Sequence, residues 1–321
     1  MRAGQPARAA HQAERGQAER GQAAGGQAGW GLSGVSVRYG QSLALDGVTV
    51  RAAPGRIAAV VGGDGAGKTT LLRCAAGALP PSRGQVRTPG IREIGYLSPA
   101  GGIYPDLTVE ENLGFRAAAY GLRAAQARQR VAEYLDRTGL AAAHGRLAGN
   151  LSGGMRKKLG VVAAMLPGPA LLVLDEPTTG VDPVSRADLW WLIAQAAAQG
   201  AAVLLSTTYL DEAQRAGHVL VLDAGRPLAS GTPAEIVAAV PGAIRPLPAR
   251  PVDPGQRRLA WRRASQWRIW DPPGVPGTAR ALRPDLQDAV VVAALAREQA
   301  RVTGAGAGAG AGASAGGGAG S

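Results

Sequence analysis

Residues 60–70 read VVGGDGAGKTT, and this stretch decides the fold class of the chain. The pattern G-x-x-x-x-G-K-[ST] is matched by Gly62, Gly67, Lys68 and Thr69. Glycines let backbone N–H groups face a phosphate without an intervening side chain, and a helix N-terminus favours negative charge. The stretch therefore predicts a strand, a phosphate-binding loop and a helix. A chance match in a glycine-rich chain is the alternative.

The residue types of the loop indicate how phosphate would be held. The Lys68 ammonium should reach the oxygens of the β and γ phosphates, and the Thr69 hydroxyl should coordinate Mg²⁺. The residues expected to contact the phosphates are Gly62, Gly63, Asp64, Gly65, Ala66, Gly67, Lys68, Thr69 and Thr70.

Apolar stretches alternate with helix-like segments along the chain. Strands are predicted at GVSVRY, GVTVRA, RIAAVVG, EIGYL, ALLVLDE, AAVLLST and HVLVLDAG. Helical patterns follow Lys68 and recur at 125–139, 153–166 and 185–200. This alternation predicts an α/β fold with a mostly parallel sheet covered on both faces. The first strands have no helix between them, so an antiparallel sheet should pack beside that core.

Composition limits the setting in which the chain works. Its 321 residues include one cysteine, Cys74. A single cysteine excludes a disulfide within the chain and favours a reducing cytoplasm. We expect the Cys74 side chain to pack in the interior of a helix face. No apolar run approaches the roughly 18 residues of a membrane span, and the N-terminal residues lack the apolar core of a secretory signal. We therefore expect a chain that does not cross a bilayer alone.

The formal charge of +12 allows several partners. Residues 241–303 hold 11 Arg against 5 Asp and Glu, so about half of the excess lies there. This excess of positive charge can be explained by solvated arginine side chains, or by contact with lipid headgroups or a protein partner. Because the phosphate-binding part is not especially basic, no nucleic-acid partner is expected.

Composition also divides the chain into four parts. Residues 1–30, with the near-repeat AERGQAERGQA, and residues 304–321, rich in Gly and Ala, are predicted to be disordered tails. A folded nucleotide domain is predicted at 31–241. Residues 242–303 begin with a proline-rich stretch and form a small extension, in which PDLQDAVVVAALARE favours one amphipathic helix. The Arg and Trp segment at 257–270 is expected to pack against the nucleotide domain.

Two adjacent carboxylates end the apolar strand ALLVLDEP. Successive strand side chains diverge, so Asp175 and Glu176 should serve different partners. Asp175 can hold the Mg²⁺ shell, and Glu176 can orient or deprotonate an attacking water. A solvated acidic turn is the alternative.

The segment NLSGGMRKK predicts a second anion site. Ser152 should lie near the N-cap of a helix, and Gly153 and Gly154 expose backbone N–H groups. A chain with one phosphate loop has no obvious use for a second such site. A capped helix without a ligand is the alternative.

The motifs GGDGAGKTT, LSGGM, LLVLDEP and TTGVD, in this order, resemble those of the ATP-binding subunit of an ABC transporter. The resemblance covers residues 32 to about 240. It implies a P-loop NTPase fold of the ABC type, with an antiparallel β subdomain and a helical subdomain at about 105–165. It also implies ATP and Mg²⁺ as cofactors and head-to-tail pairing of two such domains. The LSGGM helix of one domain then caps the γ-phosphate held by the other.

Three further matches rest on the same resemblance. Tyr39 in VRYG resembles the aromatic residue that stacks on adenine, although edge packing explains it equally well. Asp182 in TTGVD resembles the aspartate that couples the two facing sites. YPDLTVEEN, residues 104–112, resembles the entry to the helical subdomain, whose surface receives the transporter's coupling helix; a capped helix start is its alternative.

The runs TTGVDPVSRADLWWLI and DEAQRAGHVLVLDAGRPLASGTPAEI are similar to subunits of multidrug-type exporters. The resemblance implies an exporter ATPase that works with a separate membrane permease and lies peripherally on the cytoplasmic face of the membrane. A non-transport ABC ATPase remains an alternative, as does an ATP-binding regulatory subunit without significant turnover. Import is a further alternative to export.

Two positions depart from the family pattern. Pro99 stands where the resemblance implies a glutamine near Mg²⁺ and water, and Thr208 stands where it implies a histidine that contacts the γ-phosphate. Proline has no N–H, and threonine cannot become cationic. We therefore expect Thr208 to contribute weakly to turnover. The chain either pairs with a different nucleotide domain or forms a slow homodimer.

Overall fold

The computed structural model describes residues 29–275 and 281–309. Residues 1–28 and 310–321, which hold most of the two predicted tails, lie outside the described residues. Within the described ranges, no helix has both the length and the hydropathy required to cross a bilayer.

The described residues contain three sheets and nine α-helices. The strands are β1 (Trp30–Tyr39), β2 (Ser42–Ala52), β3 (Ile57–Val61), β4 (Arg83–Arg87), β5 (Ile94–Leu97), β6 (Leu171–Asp175), β7 (Ala202–Thr207), β8 (His218–Asp223), β9 (Arg226–Gly231), β10 (Ala243–Leu247), β11 (Ala260–Arg263) and β12 (Gln266–Asp271). The helices are α1 (Lys68–Ala75), α2 (Val109–Ala119), α3 (Ala124–Thr138), α4 (Gly153–Met165), α5 (Pro183–Ala198), α6 (Leu210–Ala213), α7 (Pro233–Ala238), α8 (Pro254–Arg258) and α9 (Leu286–Ala309).

The central sheet has six strands in the order β5-β6-β7-β3-β8-β9. Neighbouring strands from β5 to β8 are parallel, and only β9 runs antiparallel to its neighbour β8. A separate antiparallel sheet, in the order β2-β1-β4, packs beside it. The mostly parallel sheet and the antiparallel subdomain predicted from the sequence are both confirmed.

The parallel strands are buried on both faces, so they read as continuous apolar runs. Alternate residues of β6 belong to two different cores: Leu172 and Leu174 pack with the helices α2 to α5, whereas Leu171 and Val173 pack with α1 and the antiparallel sheet. Cys74 lies in the second core, and burial raises the pKa of its thiol to about 11. The helices and the antiparallel sheet thus fix the central sheet from opposite sides.

Helices α2, α3 and α4 occupy the region predicted as a helical subdomain. Thr108 begins α2 with a capping box: its hydroxyl accepts from the Glu111 N–H, and the Glu111 carboxylate accepts from the Thr108 N–H. The buried side chain of Asn112 holds the preceding turn through the carbonyl of Tyr104 at 2.9 Å and its N–H at 2.7 Å. The YPDLTVEEN segment is therefore a rigid entry to this subdomain.

The C-terminal extension folds into the third sheet, in the order β10-β12-β11, which packs on α9. Trp270 is buried beside Ile244 and Val292, and its indole N–H donates to the carbonyl of Pro241 at 2.7 Å. Helix α9 also contacts β9 and α7 of the nucleotide domain. Trp261 and Trp270 of the arginine and tryptophan segment pack with this sheet and with α9.

Helix α9 continues further than composition predicts. Its described residues extend to Ala309, so residues 304–309 of the predicted Gly/Ala tail are assigned to this helix.

The buried carboxylate of Asp288 fixes α9 to the third sheet. It pairs with Arg268 and with Arg263, the latter at 3.3 Å, and it is fully buried. Arg245 and Asp271 form a second, two-bonded pair in the same sheet. The extension therefore depends on ion pairs as well as on its small apolar core.

We predict that Asp288→Asn lowers the free energy of unfolding by about 2–4 kcal/mol, because Arg268 loses its buried counter-charge and Arg263 keeps only Asp285. Urea denaturation followed by tryptophan fluorescence measures the change. Asp223→Asn is the matched control: Asp223 pairs with Arg297 at 3.3 Å but is half exposed, so its loss should cost less than about 1 kcal/mol. Equal effects of the two substitutions would contradict the assignment.

Candidate functional site

The loop between β3 and α1 has a conformation that requires glycine. Gly65 and Gly67 lie in the left-handed region, with φ of 76° and 101°. A Cβ added to Gly62 would lie 2.5 Å from the carbonyl oxygen of Leu222, and one added to Gly67 would lie 2.8 Å from that of Ala44. The loop is therefore held closely between β2 and the end of β8.

The side chain of Lys68 is folded into this loop and is 5% exposed. Its ammonium donates to the carbonyl oxygens of Gly62 at 2.9 Å and Gly63 at 3.1 Å. It also lies 3.3 Å from Oε1 of Glu176. These three oxygens compensate a buried positive charge next to the loop.

Helices α1 and α4 carry no carboxylate at their N-termini. Their N-caps are Gly67 and Ser152, and neither helix has Asp or Glu at the cap or in the first turn. By contrast, α2 and α7 carry capping-box glutamates, Glu111 and Glu235. The positive ends of α1 and α4 therefore remain suited to an external anion.

A cavity of about 240 Å³ lies over the start of α1. Its lining consists of Ala44, Asp64, Gly65, Ala66, Gly67, Lys68, Thr69, Thr70 and Glu176. The structure thus brings most of the predicted phosphate-contacting loop together with the second carboxylate of the ALLVLDEP strand.

Asp175 is fully buried at the end of β6. Its Oδ1 accepts a hydrogen bond from the Ser206 hydroxyl at 2.6 Å, and its Oδ2 is buried without a hydrogen-bond partner. A buried carboxylate oxygen without a donor is costly unless a cation or water completes it. This oxygen therefore fits the predicted role of Asp175 in a Mg²⁺ shell, together with the Thr69 hydroxyl in the cavity wall.

Glu176 is held by its backbone as well as by its side chain. Its φ is 50°, which is unusual for a residue other than glycine. Its N–H donates to Ser206 Oγ at 2.9 Å, and its carbonyl oxygen accepts from Lys157 Nζ at 3.1 Å. Burial lowers the pKa of Lys157, while Glu176 and Asp175 oppose that shift. Sequence reasoning missed both Ser206 and Lys157.

The LSGGM segment begins α4 as the sequence predicted. Ser152 is the N-cap, with its hydroxyl accepting from the Met155 N–H at 3.3 Å, and both Ser152 and Gly153 are exposed. Gly154 is buried, and a Cβ there would lie 2.7 Å from Ser185 Oγ at the start of α5. Glycine at this position thus lets the two helices meet closely.

Asp182 caps α5 and accepts from the N–H groups of Val184 and Ser185, both at 3.0 Å. These hydrogen bonds, with that from Ser185 the largest cause, lower the pKa of Asp182. The aspartate of the TTGVD motif therefore has a structural role within its own chain.

Besides Gly62, Gly63, Asp175 and the LSGGM residues, three further predicted positions lie outside the lining of the cavity. Tyr39, at the end of β1, is half exposed, and Pro99 follows β5. Thr208 is exposed in the turn after β7. The adjacent Thr207 is fixed by its hydroxyl, which donates to the buried carboxylate of Glu212 at 2.6 Å. The structure thus places Thr208 in a well-anchored turn without bringing it into the cavity wall.

The site defines a nucleotide-binding protein of the P-loop class, since it combines the loop, the buried lysine and the carboxylate pair on one sheet. A sequence model described as "ABC transporter" matches residues 45–179. The chain is 39% identical over 222 residues to the "Daunorubicin resistance ATP-binding protein DrrA3" of Streptomyces coeruleorubidus, covering 66% of this chain and 70% of that protein. The chain belongs to the ABC transporter family.

Two further comparisons agree with this family. The chain is 40% identical over 198 residues to the "Probable multidrug ABC transporter ATP-binding protein YbhF" of Escherichia coli K12; the match covers 59% of this chain and spans about a third, 34%, of YbhF. A solved "Structure of ATP binding subunit of ABC transporter" is 31% identical, with a TM-score of 0.61, 65% of this chain covered and 92% of the other. The ABC-type fold predicted from the sequence is confirmed.

We predict that Ser206→Ala lowers the free energy of unfolding by about 1–3 kcal/mol, because a buried carboxylate oxygen and the Glu176 N–H both lose their partner. Denaturant titration measures this loss. Ser230→Ala is the control, since Ser230 is exposed, its hydroxyl lies 3.1 Å from Nε2 of the partly buried His218 ring, and its removal should change stability by less than about 0.5 kcal/mol. If Ser206→Ala left the free energy of unfolding unchanged, the assigned link from Asp175 through the Ser206 hydroxyl to the Glu176 N–H would be refuted.

Proposed function

We propose that this chain is the ATP-binding subunit of an ABC exporter, and that it drives a separate membrane permease from the cytoplasmic face of the membrane. The observation that carries the proposal is the buried Lys68 ammonium, held by loop carbonyls and Glu176 beside the open N-terminus of α1. The family membership and the names of the exporter relatives support it.

The residues of the cavity have separable roles in this proposal. Lys68 exchanges its contact with Glu176 for phosphate oxygens, and the loop N–H groups cradle the same phosphates. Thr69 and Asp175 would hold Mg²⁺, which supplies charge neutralisation at the β and γ phosphates. Glu176, released from Lys68, orients the attacking water and accepts its proton. Hydrolysis then yields ADP and phosphate.

The second open helix N-terminus supports pairing with another nucleotide domain. Ser152 and Gly153 are exposed at the start of α4, but they do not line the cavity of their own chain. In a head-to-tail pair these groups would contact ATP held by the other domain, as the resemblance implies. A single chain offers them no phosphate, so pairing gives this helix end its function.

A second cavity, of about 510 Å³, supports contact with a permease. It lies between the end of α1, β5 and α2, and its lining includes Ile91, Tyr96, Arg116 and Tyr120. Tyr104 and Phe115 stack edge to face nearby on α2 and its entry segment, with centroids 5.1 Å apart, and both are about half exposed. This apolar and aromatic surface fits a helix of a membrane partner.

We further propose that the Lys68 site turns over slowly. Pro99 offers no side-chain acceptor, and Thr208 is shorter than the histidine that the resemblance implies at its position. Losing one preorganised γ-phosphate partner costs about 2–4 kcal/mol of transition-state stabilisation. ATP binding, which depends on Lys68 and Thr69, should be retained. Either a heterodimer or a slow homodimer satisfies this expectation.

We predict that Lys68→Ala weakens MgATP binding about 10- to 100-fold, because a charged donor to the phosphates is lost. Equilibrium binding of a fluorescent ATP analogue measures the affinity. Lys158→Ala is the control, since Lys158 pairs with Asp188 of α5 at 2.6 Å and does not line the cavity. If Lys68→Ala binds MgATP as tightly as the original chain, the assigned phosphate site is wrong.

We predict that Thr208→His raises the rate of phosphate release at saturating MgATP about tenfold or more, since the longer, ionisable side chain supplies the missing γ-phosphate contact. Single-turnover assays resolve the rate even when it is slow. Thr208→Asn, which is polar but cannot become cationic, should leave the rate near that of the original chain. A chain that already turns over rapidly, and gains nothing from histidine, would contradict the weakened site.

A further inference from the structure

Lys157 forms a contact that the roles above do not explain. It lies on α4, partly buried, and its ammonium donates to the carbonyl oxygen of Glu176 at 3.1 Å. The neighbouring Lys158 points to a different partner, Asp188 on α5. Two adjacent lysines of one helix thus serve different elements, and only Lys157 reaches the end of β6.

The contact falls on a strained residue. Glu176 has a φ of 50°, a conformation that non-glycine residues rarely adopt and that persists only where neighbours hold it. Its N–H is bound to Ser206 Oγ on one side, and its carbonyl oxygen is bound to Lys157 on the other. The two hydrogen bonds flank the strained φ and ψ pair, so together they set the direction of the carboxylate.

The same helix carries the second anion site. Ser152, the N-cap of α4, precedes Lys157 by five residues, which is about 7.5 Å along a helix. Gly154 lies between them and packs against Ser185 without room for a side chain. A shift of this helix end therefore reaches Lys157, because the intervening turn is rigid.

We propose that Lys157 is a positioning residue for Glu176. Helix α4 then connects two sites, because its Ser152 end contacts ATP on the other domain and its Lys157 orients Glu176, the general base of its own site. The link rests on the proposed function, since only a head-to-tail pair places a phosphate at Ser152. The carboxylate keeps its productive direction while the Lys157 hydrogen bond holds the Glu176 carbonyl. Lys157 acts through the Glu176 backbone and does not itself line the cavity.

The test compares four variants of the full chain: Lys157→Met, Lys157→Gln, Lys157→Arg and the control Lys158→Met. Single-turnover hydrolysis of MgATP gives the rate, and binding of a fluorescent ATP analogue gives the affinity. Hydrogen–deuterium exchange of residues 174–179 in the nucleotide-free chain supplies a readout independent of activity.

Methionine removes the donor and glutamine is too short to reach, so both should lower the rate about 10- to 100-fold without changing ATP affinity. Both should also speed exchange in residues 174–179. Arginine keeps a donor of sufficient reach and should restore most of the rate. Lys158→Met should behave as the original chain. In a Glu176→Gln background, Lys157→Met should have no further effect on the residual rate.

The proposal is overturned if Lys157→Met matches the original chain in rate and exchange, or if Lys158→Met loses the same activity. It is also overturned if the loss persists in the Glu176→Gln background, since Lys157 would then act elsewhere. Should Lys157→Met unfold, the glutamine and arginine variants carry the comparison. Failure of the proposed function looks different: the original chain would release no phosphate, while exchange in residues 174–179 would still respond to Lys157.

Discussion

The structure depends on how one buried ammonium is compensated. Burial removes the hydration of the Lys68 ammonium. Its place is taken by the carbonyl oxygens of Gly62 and Gly63 and by the Glu176 carboxylate. This arrangement requires a loop whose carbonyls turn inward, which explains the left-handed glycines, and a carboxylate from a distant strand. Because the compensating groups belong to the loop and to β6, the same contacts preorganise the loop for the phosphate that we propose it binds.

Parallel pairing makes this convergence possible. In the register of β6 and β7, Asp175 lies opposite Ser206, and in that of β3 and β7, Val61 lies opposite Thr207. The carboxyl ends of three strands therefore meet at one edge, where ligands bind in open α/β sheets. Ser206 joins them, since its single hydroxyl contacts both Asp175 and the backbone of Glu176. A shift of one residue in this register would separate the loop from its carboxylates.

The sequence allowed the prediction of features with a local signal, while features set by long-range contacts were missed. The apolar runs of β3, β6 and β7 and the helix after Lys68 were predictable because strand and helix periodicity act over a few residues. Strands β4 and β9 to β12 were not predicted, since RGQVR is mostly polar and the C-terminal strands are interrupted by proline and arginine. In the site, motifs indicated Lys68, Asp175 and Glu176, but Ser206 and Lys157 meet them only through tertiary contacts across 30 and 19 residues.

The borders of the central sheet have a consequence for how the molecule can assemble. On one side, β9 ends the sheet with Arg226 and with Pro227, which has no N–H to offer, and α9 packs against the same strand. On the other side, β5 has only four residues, and a Cβ on its Gly95 would lie 2.1 Å from a carbonyl oxygen of α4. Neither border suits the addition of a foreign strand. Two copies that meet would therefore not be joined by extending the central sheet, and contacts between loops and helix ends can separate more readily than a continuous sheet.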